Sequence, residues 1–164
     1  MNHPDPIYAT FVSKQASLLG ELARLNPGLL GIRQPAANAW FLELHCKGLI
    51  RQPGHEVQER DCFHVGVLLS PDYLRRVEPT TVSMLTPHVW HPNVNGPAMC
   101  LGRIRPATPI SDLVIQIVEI LCYLNYTPVE HDALNAEACQ WARNHTGRFP
   151  LERRGIHLPD QFIS

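Results

Sequence analysis

Lysine is nearly absent: Lys14 and Lys47 stand against twelve arginines in a chain of 164 residues. Neither charge sign is in excess, since 14 basic residues face 15 acidic ones. A net charge of −1 offers no field for gripping a polyphosphate backbone, so nucleic acid is not expected as a partner. No window reaches the roughly 18 uninterrupted apolar residues of a membrane span. Residues 1–10 (MNHPDPIYAT) lack the basic start and apolar core of a signal peptide, so a cytoplasmic protein with no membrane partner is expected. The cysteines, Cys46, Cys62, Cys100, Cys122 and Cys139, are odd in number, widely spaced and without a CxxC pair, which argues against a disulfide scaffold or a structural metal site. The nine histidines form no HxxxH or HExxH pattern and no dinucleotide-type glycine motif occurs, so no metal or cofactor is expected.

What is there suits one globular domain spanning 1–164, with 45% hydrophobic and 18% charged residues. Residues 13–25 (SKQASLLGELARL) place Leu18, Leu19, Leu22 and Leu25 at helical spacing, with Ser13 as candidate N-cap and Asn26-Pro27-Gly28 as the stop. Residues 39–46 and 62–69 are rich in aromatic and branched side chains and read as neighbouring antiparallel strands, with a third strand over 79–86. From 94 to 109, Gly and Pro break all periodicity and predict a long loop, the kind that in a compact domain usually carries function. Residues 111–124 predict a buried central helix capped by Ser111, residues 135–145 a shorter helix, and the rest an irregular tail. Helix, antiparallel meander, loop and helices in that order form an α+β pattern with its core over about 13–145.

The chemistry-bearing stretch is His91-Pro92-Asn93-Val94-Asn95-Gly96-Pro97-Ala98-Met99-Cys100-Leu101, between the last strand and the central helix. An HPN tripeptide, a glycine, a Cys-Leu nine residues beyond the histidine, then Pro106-Ala107 and an apolar helix resemble the ubiquitin-conjugating enzymes, over about 13–145. The resemblance implies that fold, and it implies that Cys100 accepts the carboxyl-terminal acyl group of a ubiquitin-like protein from a cognate activating enzyme and passes it to an amine of a target protein. Sulfur attacks as the thiolate; the nearest cations in sequence are Arg103 and Arg105. Asn93 matches the family's asparagine, which either stabilises the oxyanion of amine attack or orders the loop. His91 and Pro92 match architectural positions. Asp132, in VEHDALN, matches the acidic residue that receives the incoming lysine; as an isolated residue it reads equally as a helix cap.

The chain departs from the family at several points. Asp72-Tyr73-Leu74 lacks the proline usual after the tyrosine, and Arg60-Asp61 replaces a glycine pair. The segment between Cys100 and Pro106 is short and carries Ile104 where a tryptophan is usual, on a loop that normally helps to bind ligases, so a ligase requirement is left open. The first helix is not strongly basic, which suggests a diverged activating enzyme. Together with the arginine bias, these features resemble a divergent member of the kind found in bacterial antiviral defence operons. Two alternatives stand beside this reading: a non-catalytic module of the same fold that binds a ubiquitin-like protein, and a cysteine hydrolase using His88, His91 or His131. The other four cysteines read as small core residues.

Arginine in place of lysine reads either as coding bias or as protection of a charged thioester from its own amines. On the second reading, exposed lysines introduced near Cys100 raise self-conjugation on reducing gels; an unchanged level contradicts it.

Overall fold

The computed structural model describes residues 5–160. Helix α1 (Pro6–Leu25) starts a full two turns earlier than the leucine spacing suggests. Asp5 is its N-cap, accepting a 2.9 Å hydrogen bond from the Ile7 N–H, and Pro6 occupies the first turn, where a missing N–H costs nothing. Ser13, the expected cap, therefore lies inside the helix. Asn26 ends it, donating from Nδ2 to the Leu22 carbonyl at 2.8 Å.

The chain then forms β1 (Leu30–Ala36), β2 (Ala39–Leu44), β3 (Gly48–Ile50), β4 (Gln58–Arg60), β5 (Phe63–Leu68), β6 (Val82–Met84), β7 (Val94–Asn95) and β8 (Ala98–Met99). Six of these make one antiparallel sheet in the order β1-β2-β5-β6-β8-β7, while β3 and β4 form a separate ribbon inserted in the expected meander. The strand expected over 79–86 is confined to Val82–Met84. On β2 and β5, Trp40, Leu42 and Leu44 face inward opposite Val67, Val65 and Phe63. The alternation of the pleat sends Phe41, Glu43, His64 and Gly66 to the outer face. The segment expected to be mostly loop is so, apart from the short β7–β8 hairpin, closed by Gly96 at φ 57° followed by Pro97. Positive φ and then a fixed negative φ is what a two-residue type II′ turn requires.

Helix α2 (Ile110–Leu121) buries Leu113, Val114, Ile117, Val118, Ile120 and Leu121 against α1 and the sheet. Each fully buried side chain of this type contributes about 1.5–3 kcal/mol. The helix is not capped by Ser111, whose buried hydroxyl makes no hydrogen bond. Its first N–H, on Ile110, is instead satisfied from 95 residues away by Gln15 Oε1 of α1, at 2.8 Å. Helix α3 (Ala136–Arg143) is capped by Asn135, whose Oδ1 accepts from the Ala138 N–H.

A second, smaller cluster joins Leu49, Tyr123 and Ala142 with Trp90, Trp141 and Phe149. The irregular tail closes over it and continues along the domain: the Leu151 N–H donates to the Cys122 carbonyl, and Asn26 exchanges two hydrogen bonds with the His157 backbone. The packed structure thus extends at both ends beyond the expected core. Among the described residues no helix is long and apolar enough to cross a membrane.

Gln15→Ala leaves a buried N–H unpartnered and is expected to destabilise the domain by about 1–3 kcal/mol in urea unfolding. Ser111→Ala removes no hydrogen bond and is expected to stay within about 0.5 kcal/mol of the parent.

Candidate active site

Cys100 directly follows β8 and is the exposed member of the five free cysteines. The others differ from it in surroundings. A hydrogen bond with Cys122 and burial push the Cys46 thiol far above its ordinary range, and burial with the nearby Glu43 carboxylate raises that of Cys62. Cys139 is buried and donates from Sγ to the Thr127 carbonyl at 3.3 Å. Cys46, Cys122 and Cys139 pack in the interior as expected, whereas Cys62 is half-buried.

The backbone of Cys100 is held at both ends by one residue. Its N–H donates to the Asn93 carbonyl at 2.8 Å, and its carbonyl accepts from Asn93 Nδ2 at 3.3 Å. The remaining polar atom of that amide, Oδ1, accepts from the Thr127 N–H at 2.9 Å. Asn93 thus ties the cysteine to the segment that follows α2, an arrangement that orders the loop.

His91 has no exposed surface and uses both ring nitrogens. Nε2–H donates to the Asn125 carbonyl at 3.0 Å, and Nδ1 accepts from the Asn93 N–H at 2.9 Å. These partners fix one neutral tautomer. Burial presses its pKa down to about 3, partly opposed by the Asn125 carbonyl. The ring packs on Tyr123, 4.4 Å between centroids, and Tyr123 stacks in turn on Phe149 at 4.3 Å. Tyr123 leaves α2 at φ 58° and donates its hydroxyl proton to the Trp90 carbonyl. Pro92 is buried beside His91, and its carbonyl accepts from the Asn135 N–H at 3.1 Å. Residues 91–93 are therefore joined to Asn125, Thr127 and Asn135 by consecutive hydrogen bonds, each contributing about 1 kcal/mol.

Cys100 lines a groove of about 450 Å³ with Pro79, Met99, Ile104 and Leu134. Leu134 is 42% exposed, an apolar side chain left in a polar segment. Tyr73 holds the end of the loop that follows Cys100: buried, with its phenol pushed up to about 12 by burial, it donates to the Thr108 carbonyl at 2.8 Å, and its own carbonyl accepts from the Ala107 N–H. Gly102, at φ 84°, turns the chain two residues after Cys100, in a conformation that disfavours any residue with a Cβ.

Asp132 ends a 3₁₀ turn (Glu130–Asp132) and is exposed, with Oδ1 3.5 Å from His131 Nε2. It does not cap α3, since Asn135 does so, and this removes the local structural reason for an acid at 132. It lies two residues before Leu134, on the segment that Asn93 and Pro92 anchor, and shares no hydrogen bond with Cys100 or Asn93 among the described residues. Arg103 and Arg105 are exposed and form no ion pair among the described residues.

No family model matches the chain, and no curated protein compared with it matches. Sequence reasoning missed Asn125, Thr127 and Leu134. The first two act through backbone atoms, which leave no residue-type signal; Leu134, a large apolar residue in a largely polar segment, carries the signal that was available.

Folding withholds His91 from a proton that the unfolded chain takes up below about pH 6.5, so the neutral histidine favours the folded state above that pH. As pH falls from about 6.5 toward 3, that advantage shrinks by an amount on the order of a few kcal/mol. Comparing unfolding of the parent and His91→Gln across this window isolates the effect. The parent is expected to show the steeper loss, and parallel curves contradict a neutral buried ring.

Proposed function

We propose that this α+β domain has the ubiquitin-conjugating fold and carries a ubiquitin-like protein as a thioester on Cys100, for transfer to a lysine of a target protein. The observation that carries the reading is the clamp of one asparagine on both backbone groups of an exposed cysteine, with a buried HPN histidine beneath it. That architecture keeps the thiol at the surface while fixing the direction from which it can be approached.

In the loading step the Cys100 thiolate attacks the thioester on the activating enzyme. A new S–C(O) bond forms, the old one breaks, and the enzyme leaves as its thiolate. The groove formed with Pro79, Ile104 and Leu134 is suited to an extended acyl tail. In the second step a neutral amine attacks the carbonyl, the oxyanion collapses and Cys100 departs. Asn93 serves as a positioning residue here: its 3.3 Å bond to the Cys100 carbonyl keeps the loop fixed while charge moves. Asp132 pairs with the incoming ammonium and takes its proton once the amine is desolvated.

The shortened segment after Cys100 removes surface that family members offer to ligases, so the reading requires an activating enzyme and leaves the need for a ligase open. The cytoplasm is the matching compartment. Of the alternatives, the silent binding module gives no reason for an exposed cysteine, and the hydrolase loses His91 from its three candidate bases, since both of that ring's nitrogens are engaged.

Incubation with a ubiquitin-like protein, its activating enzyme and ATP is expected to give a thiol-sensitive adduct on non-reducing gels, absent in Cys100→Ala. Asn93→Ala loads but discharges to lysine at least ~10-fold more slowly. Asp132→Asn discharges slowly at neutral pH and recovers near pH ~10, where free lysine is neutral without help. No adduct from an activating enzyme demonstrably charged with its partner contradicts the proposal.

A further inference from the structure

The outer face of the sheet carries a group of side chains that the proposed transfer reaction does not use. We propose that Glu43, Cys62 and His64 are ligands for a divalent transition metal of the zinc class, with His45 orienting the Glu43 carboxylate.

The placement follows from strand register. Glu43 of β2 lies directly opposite His64 of β5. Residues two apart on a strand share a face, so His45 and Cys62, one step beyond the last paired residues, complete a two-by-two patch. The ligand atoms of Glu43, Cys62 and His64 lie within 4.8 Å of one another. Glu43 Oε1 is 2.6 Å from His45 Nε2, and Oε2 is 3.3 Å from His64 Nε2. Tetrahedral zinc, with bonds of about 2.0–2.3 Å, sets its ligands about 3.3–3.8 Å apart, so small side-chain rotations suffice.

The donor set selects the ion. Imidazole nitrogen, thiolate sulfur and one carboxylate suit zinc, cobalt or copper and not magnesium or calcium, which take oxygen shells. A surface His–Glu pair alone is an ordinary ion pair; the cysteine brought to it by register is what makes it a site. Glu43 and His64 also line an open cavity of about 720 Å³, through which a metal reaches them. On binding, the Cys62 S–H gives its proton to solvent and a sulfur–metal bond forms, tying β2 to β5.

The test uses the full chain, freed of metal by chelation and titrated with Zn²⁺ or Co²⁺. The expected result is one equivalent bound, with a thiolate-to-cobalt charge-transfer band. That band vanishes in Cys62→Ser and persists in Cys46→Ala and Cys100→Ala. His64→Ala weakens binding at least ~10-fold, as does His45→Ala through loss of the partner that orients Glu43. Zinc raises the Tm of the parent and leaves that of Cys62→Ser unchanged, while equal metal-free Tm values show that the serine variant folds. A band that survives in Cys62→Ser, or no saturable binding at micromolar zinc, overturns the proposal.

Discussion

The arrangement around Cys100 depends on a single buried imidazole. A histidine with no exposed surface and no carboxylate beside it is stable when neutral and hydrogen-bonded, and His91 meets both conditions through the Asn125 carbonyl and the Asn93 N–H. The second partner is the residue that clamps Cys100, and the first belongs to the segment that carries Leu134 toward the same groove. One ring therefore sets the distance between the nucleophile's loop and the segment facing it.

The same ring lies where two cores meet. The main core, formed by α1, the sheet and α2, includes Met99 and Leu101 on either side of Cys100; the second is built on Leu49, Tyr123 and Ala142, with Tyr126, Trp141 and Phe149 packed against it. Tyr123 joins them, packing on His91 and Phe149 and bonding the Trp90 carbonyl. Gln15 does a comparable service for α2, carrying a cap from α1 across to the helix behind the site. Polar atoms buried at these junctions fix relative positions that apolar packing alone leaves adjustable.

Where amphipathic period or β-rich runs are strong, structure was legible in the sequence. α2, the paired strands β2 and β5, and α3 lie within or close to the expected segments. The errors share a cause in long-range or backbone interactions. Ser111 is a good cap by residue type, yet tertiary packing supplied Gln15 instead. β1 went unseen because its residues after Leu30 are increasingly exposed and include Pro35, which an edge strand tolerates. The start of α1 was hidden because Asp5-Pro6 reads as a break and here serves as cap and first turn. Cys100, Asn93, His91 and Pro92 were legible as one motif and are joined in space by hydrogen bonds or adjacency. Asp132 lies near them only through its segment. The Glu43, Cys62 and His64 cluster escaped notice because metal spacing was sought at helical intervals, while a strand brings ligands together at every second residue and across the register.

The most direct measurement of the central claim is the ring nitrogen chemical shifts of His91, followed by ¹⁵N NMR from neutral pH down to about pH 4. A neutral ring protonated at Nε2, with shifts constant across that range, is what the buried double hydrogen bond requires. A ring that titrates near its ordinary value of about 6.5, or that carries its proton on Nδ1, would mean that His91 does not hold the Cys100 loop in the way described.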